Sequence, residues 1–484
     1  MAGVTGIGSG IDIDSIVKSM VAAERAPKET QLANLEKKTT TQITAIGALK
    51  SAISEFQTAL GGLNKPELFQ ARSATSSKSD QVAVTASTKA GAGSYQVEVK
   101  SLATSSKVAL QPFPNTAEAP TFGGGTLTFK VGDKSLEVTV DEGNNTLAGI
   151  RDAINTGGKD MGLTATIVTD DAGARLVLSS TRTGAGEDIT VEGKMANAGL
   201  GGFSLEELNF DGTIVEPDPS DEVAMKAYRE GPMTLSKAES AQISVDGLLI
   251  TSKTNKIEGA IEGVTLDLKA KTAANEPLTI NVAEDKAGVK KQVQSFVDAY
   301  NKLIGVINAQ TKVTSVGDGK TPVTGALVGD ATARTLLGTI RNELVNVQGD
   351  GALRALSDIG ITTQKDGTLG IDSAKLDKAM ADNFTDLPGL FTGEKGLASR
   401  LDAKLKPYTE TGGILEQRNK VMTETISGID KQREDLNRRV TSLQERLFKQ
   451  FNAMDLLVGQ LANTSSSLLA SLENLPWAAS NSKK

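Results

Sequence analysis

The sequence predicts an α+β protein in which long helical ends enclose a β-rich middle. Three observations carry that expectation. Apolar residues recur in steps of three and four over residues 32–63 and again over 422–475. Between about 70 and 285, apolar and polar residues alternate between Gly, Asp and Asn turns. The apolar seams at the two ends have no partner nearby in sequence. The ends are therefore expected to be coiled-coil helices forming a leg, with nested β-rich head domains inserted between them.

The first element is an amphipathic helix over "DIDSIVKSMVAAER", with Ile13, Ile16, Val17, Met20 and Val21 on one face and Asp12 or Asp14 as its N-cap. Pro27 is expected to interrupt it. A second helix then runs to about residue 63 on the seam Leu32, Leu35, Ile46, Leu49, Ile53, Phe56, Leu60 and Leu63, with Thr39 and Gln42 filling two polar gaps. After Pro66 the pattern becomes that of strands. "KVGDKSLEV" reads as a hairpin turning at Gly132-Asp133, and "ATIVTDDAGARLVLSS" as one turning at Asp170–Gly173. "NNTLAGIRDAINT" between them reads as a short helix, and residues 203–240 as a long irregular excursion. Strands return over "AQISVDGLLITSKTNKIEGAIEGVTLDLKAK" and "PLTINVAED".

Helices resume with Val289, Val293, Phe296, Tyr300, Leu303 and Ile307 on one face, then "GDATARTLLGTIRNELVN", a mixed stretch to about 383 and a loop near Pro388 to Gly396. The last segment is a single heptad array. Met422, Ile426, Ile429, Leu436, Val440, Leu443, Leu447, Met454, Leu457, Leu461, Leu468, Leu472 and Leu475 keep to the seam, with Arg433, Gln450 and Thr464 as exceptions. A straight helix of that span reaches about 80 Å, more than a compact domain uses. Residues 456–472 carry no charge, and Ala, Ser and Thr fill the faces where a solvated helix carries Lys and Glu. That end is expected to be buried in an assembly, or held by a chaperone until it is.

Composition narrows the function. The 484 residues include no cysteine and no histidine. Disulfides, thiolate nucleophiles, Cys/His zinc sites and Ser-His-Asp triads are excluded. Of the net charge of −7, residues 1–70 contribute none and 414–484 contribute +2, so the middle carries −9. No basic stripe exists for nucleic acid. The longest uncharged run has "NTSSS" at its centre, which argues against membrane insertion. The N-terminus lacks the basic and apolar regions of a signal peptide, so export is expected to take another route. "GIGSG" lacks the preceding strand and following Lys of a phosphate loop. The acidic clusters at Asp170-Asp171, Asp218–Glu222 and Asp366 sit where turns are expected and lack a calcium-loop pattern, so they read as turn residues, and a carbohydrate-active enzyme with two carboxylates facing across a cleft stays an alternative. No cofactor is expected.

Five stretches together resemble the bacterial flagellar filament cap family (FliD, hook-associated protein 2). They are "GIGSGIDIDSIVKSMVAAERAP" at the start, "AGSYQVEVKSLAT" at 92–104, "VKKQVQSFVDAYNKLI" at 289–304, "LSDIGITTQKDGTLGIDSAKL" at 356–376 and "ERLFKQFNAMDLLVGQL" at 445–461. "LTFKVGDKSLEVTVDEGNNTLAGIRDAIN" is similar to a motif of flagellin-type proteins. The resemblance implies a non-enzymatic protein, exported by the flagellar type III apparatus to the filament tip. There it forms a ring of itself, a pentamer or hexamer, and helps flagellin fold and insert. Its other implied partners are the hook-filament junction protein and an export chaperone on the C-terminal helix. The resemblance also implies N-terminal leg helices over 1–42, an inner helical and mixed domain over 43–104 and 286–439, and a head domain over 105–120 with 241–285. A variable outer head over 121–240 and a C-terminal leg helix over 440–484 complete that division. Leg or inter-subunit packing then falls to Ile13, Ile16, Val17, Met20, Leu49, Ile53, Phe56, Leu436, Val440, Leu443, Leu447, Met454, Leu457, Leu461 and Leu468. Alternatives are a hook-filament junction protein, a needle-tip structural protein, or an adhesin whose exposed heads bind host surface glycans.

Overall fold

The computed structural model describes residues 10–115, 119–197, 202–317, 321–346 and 351–473. Along the chain, α1 (Ile13–Leu63) and α2 (Pro66–Gln70) precede β1 (Arg72–Ser76), β2 (Val82–Ala86), β3 (Gly93–Ser101) and β4 (Ser105–Ala109). The hairpin β5 (Gly124–Val131) and β6 (Lys134–Val140) leads into α3 (Leu147–Gly157). Strands β7 (Leu163–Asp170), β8 (Gly173–Thr183) and β9 (Ile189–Asn197) follow, then α4 (Glu222–Glu230) and β10 (Met233–Ser236). Next come β11 (Ala241–Val245), β12 (Leu248–Ser252), β13 (Lys256–Ile261), β14 (Val264–Leu268) and β15 (Leu278–Glu284). The C-terminal part holds α5 (Lys286–Thr311), the short pair β16 (Val313–Thr314) and β17 (Val323–Thr324), and α6 (Ala331–Val345). It continues with the pair β18 (Ile361–Thr363) and β19 (Leu369–Ile371), then α7 (Ser373–Asp382), α8 (Leu387–Phe391), α9 (Leu397–Thr409) and α10 (Ile414–Glu473). The chain divides into a helical unit, residues 1–69 with 286–484, and a β unit, 70–285.

In the helical unit, α1 and α10 run antiparallel. Lys50 reaches Glu416 at 3.5 Å and Arg433 reaches Glu36 at 2.6 Å, so rising numbers on one helix meet falling numbers on the other. Helix α5 also runs antiparallel to α1, with Lys302 on Glu55 at 2.5 Å and the Gln292 amide donating to the Ala59 carbonyl at 3.3 Å. Between them Ile53, Phe56 and Leu60 are fully buried against Val293, Phe296 and Tyr300. The Phe56 ring lies 5.7 Å from Phe296 and 5.8 Å from Tyr300. Each such side chain contributes about 1.5–3 kcal/mol by leaving water. The Tyr300 hydroxyl, whose ionisation burial pushes up, donates to the Gly367 carbonyl at 2.9 Å. That bond ties α5 to the turn between β18 and β19.

The β unit contains two cores. One joins the five-stranded sheet β1-β15-β3-β11-β12 to the three-stranded sheet β13-β14-β2 around Val97, Ile243, Leu266 and Ile280. The other is inserted between β3 and β11. It packs the sheets β10-β4-β8-β7 and β6-β5-β9 with α3 around Phe113, Phe122, Phe129, Ile150 and Leu178. Both expected hairpins form in the expected register, Val131 opposite Lys134 and Asp170 opposite Gly173. Gly132 takes φ 60°, the left-handed turn position that disfavours other residues. Thr146 caps α3 by accepting from the Gly149 amide at 3.1 Å.

Four sequence expectations need correction. Pro27 does not end a helix: α1 is continuous across it. Pro27 and Ala23 are both exposed, so the Ala23 carbonyl that loses its donor is at the wet face. Residues 203–240 are not wholly irregular, because α4 and β10 lie within them. Arg175, a buried residue of β8, donates to the carbonyls of Arg229 and Gly231 and holds the end of α4. The stretch near Pro388 contains α8, which buries Leu387, Leu390 and Phe391. Finally, the strands before residue 104 pair with β11, β14 and β15 and sit in the β unit, so they do not group with the helices.

Candidate assembly interface

Asp12 starts α1 by accepting from the Ser15 amide at 3.0 Å, leaving Ile13 and Val17 on the inward face. Of the seam residues named from the sequence, Ile13, Val17, Leu49, Ile53, Phe56, Leu436 and Val440 are buried. Leu443 and Leu447 are half-buried. Ile16, Met20, Met454, Leu457, Leu461 and Leu468 are exposed. Length accounts for the exposed α10 residues, whereas Ile16 and Met20 lie on the outward side of the paired part of α1. The ion pairs fix a register that brings the first turn of α1 beside about residue 455 of α10, at 1.5 Å rise per residue. Beyond that point no helix among the described residues lies alongside α10. Leu457 is 60% exposed, Leu461 68% and Leu468 58%, whereas Phe56 is 0%.

Three of the polar residues on the seams, Thr39, Arg433 and Thr464, have partners. Arg433 donates to Glu36 of α1, and the carboxylate raises the guanidinium's already high pKa. Thr39 is buried, and its hydroxyl donates to the Leu35 carbonyl at 2.8 Å, so a polar residue sits in the seam without an orphaned group. At the base of the helix pair, Arg418 of α10 donates to Asp330 at 3.0 Å. The same carboxylate caps α6 by accepting from the Ala333 amide at 3.0 Å. Burial pushes Asp330 up, but Arg418 and the capping amides outweigh it and leave the carboxyl below its ordinary value.

The sequence seam missed Leu456, Val458 and Leu469: Leu456 is 67% exposed, and Val458 and Leu469 are exposed too. Val458 and Leu469 widen the exposed apolar stripe of Leu457, Leu461 and Leu468, Leu456 stands on another face, and small and uncharged polar residues fill the rest. The absence of charge from 456 to 472 is the signal that finds them. Contiguous exposed apolar surface of this kind marks a contact surface. Leu475 and residues 1–9, part of the same expectation, lie outside the described residues.

The acidic turns are closed locally, and Asp170, Asp171 and Glu222 line one cavity together with Lys226, Arg229 and Glu230. Asp170 accepts from the amides of Ala172 and Gly173, Asp218 from Ser220, and Asp366 from Thr368, each closing its own turn. The Thr368 hydroxyl and amide hold the Asp366 carboxyl below its ordinary value. Among the described residues no group of three or more acidic side chains is arranged to hold a metal ion. No described helix is long and apolar enough to cross a membrane.

Comparison with known proteins agrees with this architecture. The sequence profile of the flagellar hook-associated protein 2 N-terminus matches residues 9–106, and that of its C-terminus matches 238–463. The flagellin hook IN motif matches 126–182, which includes most of the β5–β6 hairpin and all of α3. The chain is 48% identical to the B-type flagellar hook-associated protein 2 of Pseudomonas aeruginosa over 99% of both chains. It is 31% identical to the flagellar hook-associated protein 2 of Escherichia coli K12 over 97% of both. A crystal structure of the D1-D2-D3 domains of the E. coli flagellar cap protein covers 78% of this chain and 99% of that one, with TM-score 0.60 and 28% identity. With a leg of two antiparallel helices, an inserted β head and full-length relatives of this kind, the chain belongs to the flagellar hook-associated protein 2 (FliD) family of filament-capping proteins.

Proposed function

We propose that this protein caps the filament as a closed homo-oligomeric ring, with the α1–α10 pair as the leg and the β unit as the head. Within the leg, Ile16, Met20, Met454, Leu457, Leu461 and Leu468 pack on neighbouring subunits or on flagellin, while the buried seam residues hold the two helices together. The partition into leg, inner helical domain and two β heads serves that arrangement. A heterologous contact repeated around a closed ring satisfies every copy equally. The observation that carries this reading is the exposed, uncharged end of α10 from Leu456 to Leu472. An apolar helix end of this kind needs burial after export, and a chaperone before it. Flagellin and the junction protein are the remaining partners, and the flagellar type III apparatus is the route out.

Complementation of a cap-deletion strain tests the proposal. A chain ending at Asp455 is expected to be exported and folded in its β unit yet to support no filament growth. Swimming at the full-length rate would contradict it.

A further inference from the structure

The two β cores are joined by two chain crossings, residues 102–104 and 237–240, which pair through the Thr104–Glu239 bridge and the Thr104 hydroxyl on the Lys237 carbonyl at 2.7 Å. Two crossings of a few residues make a hinge, and by themselves they set no fixed angle. The turn between β8 and β9, residues 183–188 of the inserted core, bridges that hinge. The Thr183 hydroxyl donates to the Lys253 carbonyl at 2.6 Å, in the turn between β12 and β13 of the other core. The Gly184 amide donates to the Thr104 carbonyl at 3.2 Å, and the Ala185 amide to the Ser240 hydroxyl at 3.0 Å. The Asp188 carboxylate accepts from the Ala238 amide at 2.9 Å.

At the centre is Glu187, a carboxylate only 5% exposed. It accepts from Lys253 Nζ of the facing core at 2.9 Å and from Arg182 Nε of its own core at 2.7 Å. Arg182 also reaches Asp133, in the β5–β6 turn, at 2.8 Å. Two glycines make room for the cluster. A Cβ at Gly132 would lie 2.3 Å from the Glu187 carboxylate, and one at Gly184 would lie 2.6 Å from Lys253 Cβ. Gly184 also takes φ 107°, a conformation that other residues rarely adopt. From the facing side, Asn255 both accepts from and donates to the backbone of Ala103, at 2.7 and 2.8 Å, and steadies the first crossing.

We propose that residues 183–188 form a latch, with Glu187 as its positioning residue, that fixes the inserted core at one angle to the core from which it emerges. The buried carboxylate takes one cation from each side, so neither core alone completes the cluster. Removing Lys253 or neutralising Glu187 takes away the charge pair that crosses between the cores, and leaves the Thr183, Ala185 and Asp188 hydrogen bonds to hold the angle. A head whose outward part must present one surface to its neighbours gains a defined angle in this way.

The absence of native cysteine permits a direct test on the full chain. Cysteines replace exposed Glu137 in the inserted core and exposed Glu258 in the other, each carries a spin label, and the distance distribution between them is measured. The parent is expected to give one narrow distribution. E187Q and K253M are each expected to widen it at least twofold, with far-ultraviolet circular dichroism unchanged. R182K, which keeps a cation beside Glu187, is expected to retain most of the narrow form. Unchanged widths in both E187Q and K253M would overturn the proposal. If E187Q fails to fold, K253M, altered at a largely exposed side chain, decides alone.

Discussion

At the residue scale, two carboxylates carry predictions of opposite reach. Glu187 is held near pKa 2 by Arg182 and then Lys253, below an ordinary value of 4.5. Its stabilising contribution is complete above pH 4.5 and is lost as the pH falls towards 2. The stability difference between the parent and E187Q, followed by urea unfolding, should stay constant from pH 7 to 5 and shrink below about pH 4. Asp330 caps α6 and pairs with Arg418 at once, so D330A should destabilise the helical unit by about 2 kcal/mol or more. D330N keeps a capping oxygen and should lose less. Equal losses in the two variants, measured by denaturant unfolding, would show that the cap is silent.

Element-scale contrasts follow from which part of each long helix has a partner. Ile53→Ala opens a cavity between α1 and α5 and should cost about 2–5 kcal/mol in the unassembled chain. Leu461→Ala, on an exposed turn of α10, should change monomer stability by less than about 0.5 kcal/mol. Thermal or urea unfolding compares the two directly. Pro27→Ala restores one helix hydrogen bond at an exposed position of α1, so amide exchange in the turn around Pro27 should slow. Much of this was legible in sequence: the Asp12 cap, the Gly132 and Asp170 turns, the α3 helix and both heptad seams follow from local chemistry. Continuity across Pro27 was not, because it depends on which face the proline takes. Nor was α4, whose end is held by Arg175 from a strand more than fifty residues earlier. The latch was equally hidden, since Glu187 and Lys253 lie 66 residues apart and neither sits in a recognisable pattern.

For the whole molecule, burial separates two uses of one amphipathic design. Leu49, Ile53 and Phe56 build the chain's own core, while Leu457, Leu461 and Leu468 are exposed. The sequence seams gave both sets the same appearance. Only the register of α1 on α10, set by Lys50–Glu416 and Glu36–Arg433, separates them. The account's central claim is that the uncharged end of α10 is an assembly surface. Sedimentation velocity of the full-length chain across a concentration series, beside the L457K/L461K/L468K variant, tests it most directly. The parent should shift from monomer to one closed oligomer as concentration rises, and the variant should remain monomeric with unchanged circular dichroism. The same oligomer at the same concentrations in both proteins would contradict the account.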